Sequence, residues 1–84
     1  MASRSDKPKK DPELVALGER LRELRLDAGL TQEALADAAD LHWTFVGQVE
    51  RGERKLSYKN LLKLAAGLGV GVGEVLPKPS PKVN

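Results

Sequence analysis

The sequence contains no cysteine, which excludes a disulfide framework and any thiolate metal site. No apolar run approaches the ~20 residues that a membrane-spanning helix requires, and the polar first dozen residues lack the apolar segment of a secretory signal. We therefore predict a cytoplasmic protein with no membrane contact. The 84 residues are enough for one small domain, which helix packing has to stabilise, alone or with a partner subunit.

Residues with catalytic chemistry are also scarce. One histidine and no cysteine leave no nucleophile–base set and no cluster of metal ligands. The alternating glycines at 67–73 follow no strand and are not accompanied by the lysine of a phosphate-binding loop. We predict that the protein is not an enzyme and that it holds neither a metal nor a cofactor.

Charge is unevenly distributed along the chain. The net charge of +2 comes from the ends, because residues 1–12 and 77–84 each carry +2, whereas residues 13–76 hold eight bases and ten acids. The overall basic balance is therefore weak support for a nucleic-acid partner. Within the domain, residues 51–63 contain five basic residues and one acidic residue. This local excess of positive charge is the more informative feature.

Apolar residues recur at helical spacing through the middle of the chain, and the alternating period of a strand is absent. Five short helices are predicted. Their boundary signals are Pro12 and Gly29 for the first, Thr31 for the second, Gly52 for the end of the third, Ser57 for the fourth, and Val72, Val75 and Leu76 for a final short turn. The ends are rich in proline and polar residues, so we predict a flexible arm at 1–12, a domain at 13–76 and a flexible tail at 77–84.

The second and third helices have the form of a helix-turn-helix unit, with a three-residue break at 40–42 between them. Ala36 is small where the two helices must approach closely. Asp40 occupies the turn position that needs a positive φ, which aspartate tolerates better than most residues. Four apolar side chains are predicted to fill the angle between the helices: Leu35, Leu41, Val46 and Val49.

The segment LTQEALADAADLHWTFVGQVERGERKLSYKNLLKLAAGLGV resembles the lambda-repressor-like, or XRE-type, helix-turn-helix family, and the resemblance extends over about residues 17–76. The order Leu-His-x-Thr-aromatic-Val-Gly, followed by Glu-Arg-Gly-Glu-Arg, is most similar to the controller proteins of restriction–modification systems. This resemblance implies an all-α, five-helix lambda-repressor-like DNA-binding domain that regulates transcription. It also implies a homodimer on a pseudo-palindromic operator in double-stranded DNA, with RNA polymerase as a further candidate partner. Asp40 stands where the family often has glycine, and Trp43 where the controllers usually have arginine.

The N-terminal part of the third helix enters the major groove in such domains. The predicted base-reading residues are His42, Trp43, Thr44 and Gln48. Gln48 offers a bidentate amide to adenine, and Thr44 offers a methyl group to thymine or a hydroxyl to phosphate. Gly47 is also predicted to face outward, which would let the helix backbone approach the DNA. His42 has two candidate roles, the N-cap of the helix and a phosphate neighbour.

Trp43 has two interpretations. An exposed Trp43 would contact thymine methyls or sugar, whereas a buried Trp43 would belong to the core or to a dimer interface. We favour exposure, because Val46 and Val49 already fill the inward positions of this helix, and Phe45 is better placed for partial burial.

Phosphate contacts are predicted on both sides of the third helix. Gln32, at the positive N-terminal end of the second helix, offers its amide and backbone N–H groups. The other predicted phosphate-binding residues follow the third helix: Arg51, Arg54, Lys55, Tyr58, Lys59 and Asn60. A solvated charged surface is the alternative interpretation of this basic run.

Two structural features complete the predicted domain. Arg25 and Glu50 match positions that commonly pair in phage-repressor relatives, so the resemblance implies an ion pair between the first and third helices; two unrelated surface charges are the alternative. The end of the fourth helix and the fifth segment carry more apolar surface than one small core covers, which predicts a dimer interface. Its predicted residues are Leu68, Val70, Val72, Val75 and Leu76.

A second class of function uses the same fold. A protein-interaction module, such as an antitoxin or a coactivator bridge, would also contain a helix-turn-helix. An antitoxin needs a segment that wraps its partner, and ends of twelve and eight residues are short for that task. The salt dependence of DNA binding separates the two classes, because neutralising phosphates makes affinity fall steeply with salt.

Overall fold

The computed structural model describes residues 11–77, so the predictions of a flexible arm and tail fall almost entirely outside the described residues. The helices are α1 (Pro12–Asp27), α2 (Gln32–Ala39), α3 (Trp43–Glu50), α4 (Tyr58–Leu68) and α5 (Val72–Val75). No strand occurs between residues 11 and 77. The prediction of an all-α domain with five helices is confirmed, and α1 begins at Pro12, the last residue of the predicted arm.

Side chains cap the N-termini of four helices. Asp11, Thr31, His42 and Ser57 accept backbone N–H groups at the starts of α1, α2, α3 and α4, respectively. These caps satisfy donors that have no partner within the first turn of a helix. The predicted N-caps Thr31 and Ser57 are confirmed, and the N-cap is one of the two roles predicted for His42.

The turn between α2 and α3 closes at Asp40, which has φ 58° and ψ 48° in the left-handed region. The N–H of Leu41 then donates to the carbonyl of Ala36 over 2.8 Å, which ends α2 and redirects the chain into α3. The predicted positive φ at Asp40 is confirmed. This turn fixes the direction in which α3 leaves α2.

One hydrophobic core joins all five helices. Helix α2 contacts α3 and α4, α1 contacts α3 and α5, and α4 contacts α5. Six side chains in this core have essentially no exposed surface: Leu21, Leu35, Val46, Val49, Leu64 and Val75. Each such burial contributes about 1.5–3 kcal/mol relative to exposure. Helix α3 therefore packs against both α1 and α2.

The prediction that Val75 lies in a dimer interface is wrong. Its side chain has 0% exposure, because α5 folds back against α1 and α4 and inserts Val75 into the core. Leu68, Val70 and Val72 are half-buried and pack against the same core. Leu76, with 46% exposure, is the member of the predicted set that remains open to solvent.

Candidate nucleic-acid interface

The N-terminal end of α3 is its exposed part. His42, Trp43 and Thr44 are exposed and consecutive, and Gln48, one turn further along α3, is half-buried. Val46 and Val49 occupy the opposite side of the helix and are buried. The structure therefore places three of the four predicted base-reading residues at the exposed N-terminal end of α3, and Gln48 one turn further along the helix.

Trp43 is half exposed, with 50% of its surface accessible, and it does not belong to the core. Its indole lies nearly parallel to the His42 imidazole, with ring centroids 6.0 Å apart and an angle of 24° between the planes. Phe45 is half-buried instead and packs against the core. The interpretation that places Trp43 in the core is therefore wrong, and its exposure in the single protomer agrees with the favoured one.

The prediction that Gly47 faces outward is wrong. Gly47 is buried, and a Cβ atom at this position would lie 3.4 Å from Oε1 of Gln32 and 3.2 Å from Nη1 of Arg51. The side chains from the start of α2 and from the end of α3 cover it. The missing side chain of Gly47 therefore gives room to Gln32 and Arg51, not to an external ligand.

Arg25 and Glu50 form a buried ion pair between α1 and α3. Nε of Arg25 donates to Oε2 of Glu50 over 2.6 Å, and Nη2 donates to Oε1 over 3.0 Å. The side chains are only 9% and 3% exposed. The hydrogen bond to Glu50 raises the pKa of Arg25 above its ordinary value, an effect that burial opposes and the charge of Glu50 reinforces. The guanidinium is therefore a permanently charged link between the two helices.

Gln32 extends this link to α2. Its Nε2 donates to Oε1 of Glu50 over 3.0 Å, while Nη1 of Arg25 donates to the carbonyl of Leu30 over 2.9 Å in the loop before α2. One carboxylate thus joins three helices. One of the two N–H donors of the Gln32 amide, which the sequence predicts to bind a phosphate, is therefore engaged within the protein.

The basic segment at residues 51–63 follows α3. All five of its basic residues are exposed, as an interface with phosphates requires. Arg51 pairs with Glu53 over 3.2 Å on the surface. Lys55, Tyr58 and Lys59 are exposed, and no ion pair within residues 11–77 engages either lysine.

Two further predicted phosphate-binding residues have partners inside the protein. Asn60 is half-buried and donates its backbone N–H to Oγ of Ser57 over 3.1 Å. The guanidinium of Arg54 lies over the ring of Phe45, 5.1 Å from its centroid. This cation–π contact joins the basic segment to the first turn of α3.

Sequence reasoning missed Gly18 of α1. A Cβ atom at Gly18 would overlap the carbonyl oxygen of Val49 and would lie 2.6 Å from that of Glu50. The backbone of α3 therefore lies directly on α1 at this point. The available signal was a glycine within the leucine stripe of a long helix, where it costs helix propensity unless close packing requires it.

An open groove of about 610 Å³ borders the exposed rings of His42 and Trp43, and Glu33 and Asp37 of α2 share it. These two carboxylates repel anions, which disfavours a phosphate in this groove. Across residues 11–77, no three acidic or histidine side chains are placed to hold a metal ion. None of the described helices is long and apolar enough to cross a membrane.

Known proteins resemble both the sequence and the fold. A family model described as Helix-turn-helix (HTH_3) matches residues 21–75. Control protein C.BamHI of Bacillus amyloliquefaciens is 38% identical over 63 residues, which cover 74% of this chain and 78% of that protein.

Two solved structures are similar to this one. The restriction-modification controller protein C.AhdI from Aeromonas hydrophila has 47% sequence identity and a TM-score of 0.77, covering 79% of this chain and 100% of that chain. The clp gene regulator ClgR from C. glutamicum has 32% identity and a TM-score of 0.74, covering 82% and 88% of the two chains. The likeness therefore extends over most of the described helices.

Proposed function

The chain belongs to the HTH_3 helix-turn-helix family of DNA-binding transcription regulators, and from this premise we propose that it binds a pseudo-palindromic operator as a homodimer and controls a restriction–modification operon. The matches to C.BamHI and C.AhdI confirm the resemblance to controller proteins that the sequence predicts. They support the restriction–modification assignment. The likeness to ClgR supports a second candidate within the family, a regulator of other genes.

The observation that carries the proposal is the exposed end of α3 next to an exposed basic segment. His42, Trp43 and Thr44 are open at the end of the helix that enters the major groove in this fold. Lys55 and Lys59 lie on the segment that follows α3, and charge of this sign attracts phosphates. Base contacts specify the sequence, whereas phosphate contacts position the protein.

We expect Gln48→Ala and Lys59→Ala to weaken DNA binding in different ways. Gln48→Ala removes a bidentate partner of adenine. The free energy of binding to the operator should therefore weaken by about 1–3 kcal/mol, whereas affinity for random DNA should stay nearly constant. Lys59→Ala should weaken both DNAs alike and reduce the slope of log K against log salt by about one. Trp43 is the single tryptophan, so its fluorescence reports binding without a label.

Arg22→Ala is the matched control for lost charge, because Arg22 is exposed on α1 and is not a predicted DNA contact. It should leave the salt slope unchanged. Equal losses on operator and random DNA for Gln48→Ala would show that α3 does not read bases. Affinity that is insensitive to salt in the parent protein would instead favour a protein-interaction module.

The proposed dimer interface consists of the C-terminal end of α4 and the segment around α5. Leu76 is exposed there, and the half-buried residues Leu68, Val70 and Val72 surround the same end of the chain. A two-fold axis through this surface would place two α3 helices on one duplex, where half-sites lie about 34 Å apart.

We expect Leu76→Asp to raise the dimer dissociation constant by about tenfold or more, because a carboxylate would be desolvated in an apolar interface. Sedimentation velocity across a range of concentrations measures this change. Leu26→Asp is the matched control, since Leu26 is 51% exposed on α1 outside the proposed interface. Equal effects of the two variants, or a parent protein that is monomeric at tens of micromolar, would contradict the proposed interface.

A further inference from the structure

His42 caps α3 through a ring nitrogen, and this contact fixes where the ring proton lies. The backbone N–H of Thr44 donates to Nδ1 of His42 over 3.2 Å. Because an amide N–H is always a donor, Nδ1 has to be an unprotonated acceptor. The neutral imidazole therefore carries its one proton on Nε2.

The same nitrogen determines the direction of the Thr44 hydroxyl. Oγ1 of Thr44 lies 2.7 Å from Nδ1 of His42. Since Nδ1 carries no hydrogen, this contact is a hydrogen bond in which the Thr44 hydroxyl donates. A hydroxyl has a single hydrogen and two lone pairs, so Oγ1 keeps only the ability to accept.

The His42 ring is itself held in place. Its Nδ1 accepts from Thr44, and its face lies against the indole of Trp43, 6.0 Å between centroids. All three side chains are exposed at the end of α3. The polarity of Thr44 is thus set by its neighbours before any ligand arrives, and His42 acts as its positioning residue.

We propose that Thr44 reads a base with an exocyclic amino group, N6 of adenine or N4 of cytosine, because His42 fixes its hydroxyl as an acceptor. This inference rests on the proposed function, which places the end of α3 in the major groove. The other polar groups there, N7 of both purines, O6 of guanine and O4 of thymine, are acceptors and would face a lone pair of Oγ1. A phosphate oxygen is also an acceptor. The lone pairs of Oγ1 therefore disfavour the phosphate contact that the sequence offers for Thr44, and they favour recognition of a base.

The test starts by selecting binding sites from random-sequence duplexes with the full-length parent protein and with Thr44→Val. Valine keeps the shape and a methyl group but lacks the hydroxyl. The parent should prefer adenine or cytosine at one position of each half-site, and Thr44→Val should lose that preference alone. Thr44→Ser, which keeps the hydroxyl and lacks the methyl group, should retain it.

Base analogues then identify the group that is read. At that position, unsubstituted purine replaces adenine, or pyrimidin-2-one replaces cytosine, so that only the exocyclic amino group is removed. Affinity of the parent should fall about three- to tenfold, as for the loss of one hydrogen bond. Affinity of Thr44→Val should not respond to the same analogue.

His42→Gly tests the positioning role. Glycine is tolerated at an N-cap and offers no side-chain acceptor to Thr44, so α3 should remain intact by circular dichroism. The hydroxyl of Thr44 is then free to rotate, and discrimination at its base pair should fall below about threefold, while the preference that depends on Gln48 persists. A merely structural role for His42 would weaken both preferences together.

Four outcomes would overturn the inference. Equal losses on all duplexes for Thr44→Val would identify a phosphate contact, and loss of a thymine preference in Thr44→Ser would identify a methyl contact. An unchanged preference in His42→Gly would show that the ring does not set the polarity. A parent protein that selects no sequence at all would overturn the proposed function and this inference together.

Discussion

Replacing Glu50 with alanine is expected to lower the free energy of unfolding by about 3–5 kcal/mol. The change would leave the guanidinium of Arg25 buried without a charge partner and would remove the acceptor of Gln32. A domain of this size has a total stability on the order of 5–10 kcal/mol, so much of it would be lost. Denaturant unfolding followed by circular dichroism measures the change.

Glu53→Ala is the matched control for this variant. Glu53 forms a surface ion pair with Arg51, with 42% and 56% of the two side chains exposed, and such pairs contribute at most about 1 kcal/mol. If Glu50→Ala does not fold, Glu50→Gln, which keeps hydrogen-bonding capacity without the charge, should give an intermediate loss. Equal stabilities of the Glu50→Ala and Glu53→Ala proteins would contradict the structural role of the buried pair.

Gly18→Ala should destabilise the domain by about 3 kcal/mol or more, the upper end of the effect of overpacking. The added methyl group would overlap the carbonyl of Val49 and approach that of Glu50, and a helix backbone cannot rotate away as a side chain can. Helix propensity alone predicts the opposite sign, a gain of about 1 kcal/mol for alanine over glycine within a helix. The sign of the measured change therefore distinguishes the close approach from propensity.

The same variant should also impair DNA binding. Displacing α3 from α1 shifts the end of the helix that carries Trp43 and Thr44, so operator affinity should fall in protein that is still folded at low temperature. Gly73→Ala is the control, because within residues 11–77 its added Cβ atom would meet no atom within 4 Å other than those of its own stretch of helix. It should leave stability unchanged or raise it by up to about 1 kcal/mol. A Gly18→Ala protein at least as stable as the parent would refute the close α1–α3 contact.

Local signals predicted the elements of the fold well. Thr31 and Ser57 cap helices, and Asp40 adopts a positive φ, as the sequence indicates. The physical reason is that a cap or a turn depends on groups within three or four residues along the chain. Such information is present in any short window of the sequence.

The exposed side of α3 was also predictable. Helical periodicity placed Val46 and Val49 inward, which left the position of Trp43 open to solvent. Helical periodicity distinguishes the inward side of a helix from its outward side, but it does not predict which side chains from elsewhere in the protein cover the outward side. Gly47 illustrates this limit, because the side chains of Gln32 and Arg51 cover a position that the helix alone would expose.

Only the tertiary structure decided which surfaces are covered and which groups share a partner. Val75 belongs to the core because α5 folds back on α1, and Gln32 joins the Arg25–Glu50 pair because α2 begins beside the end of α3. Residue type and spacing determined the helices, their caps and the outward end of α3. The burial of Val75, the cover that Gln32 gives to Gly47, and the second partner of Glu50 depend on atoms that are distant in sequence. Those atoms come together only after the helices pack, so no local pattern contains them.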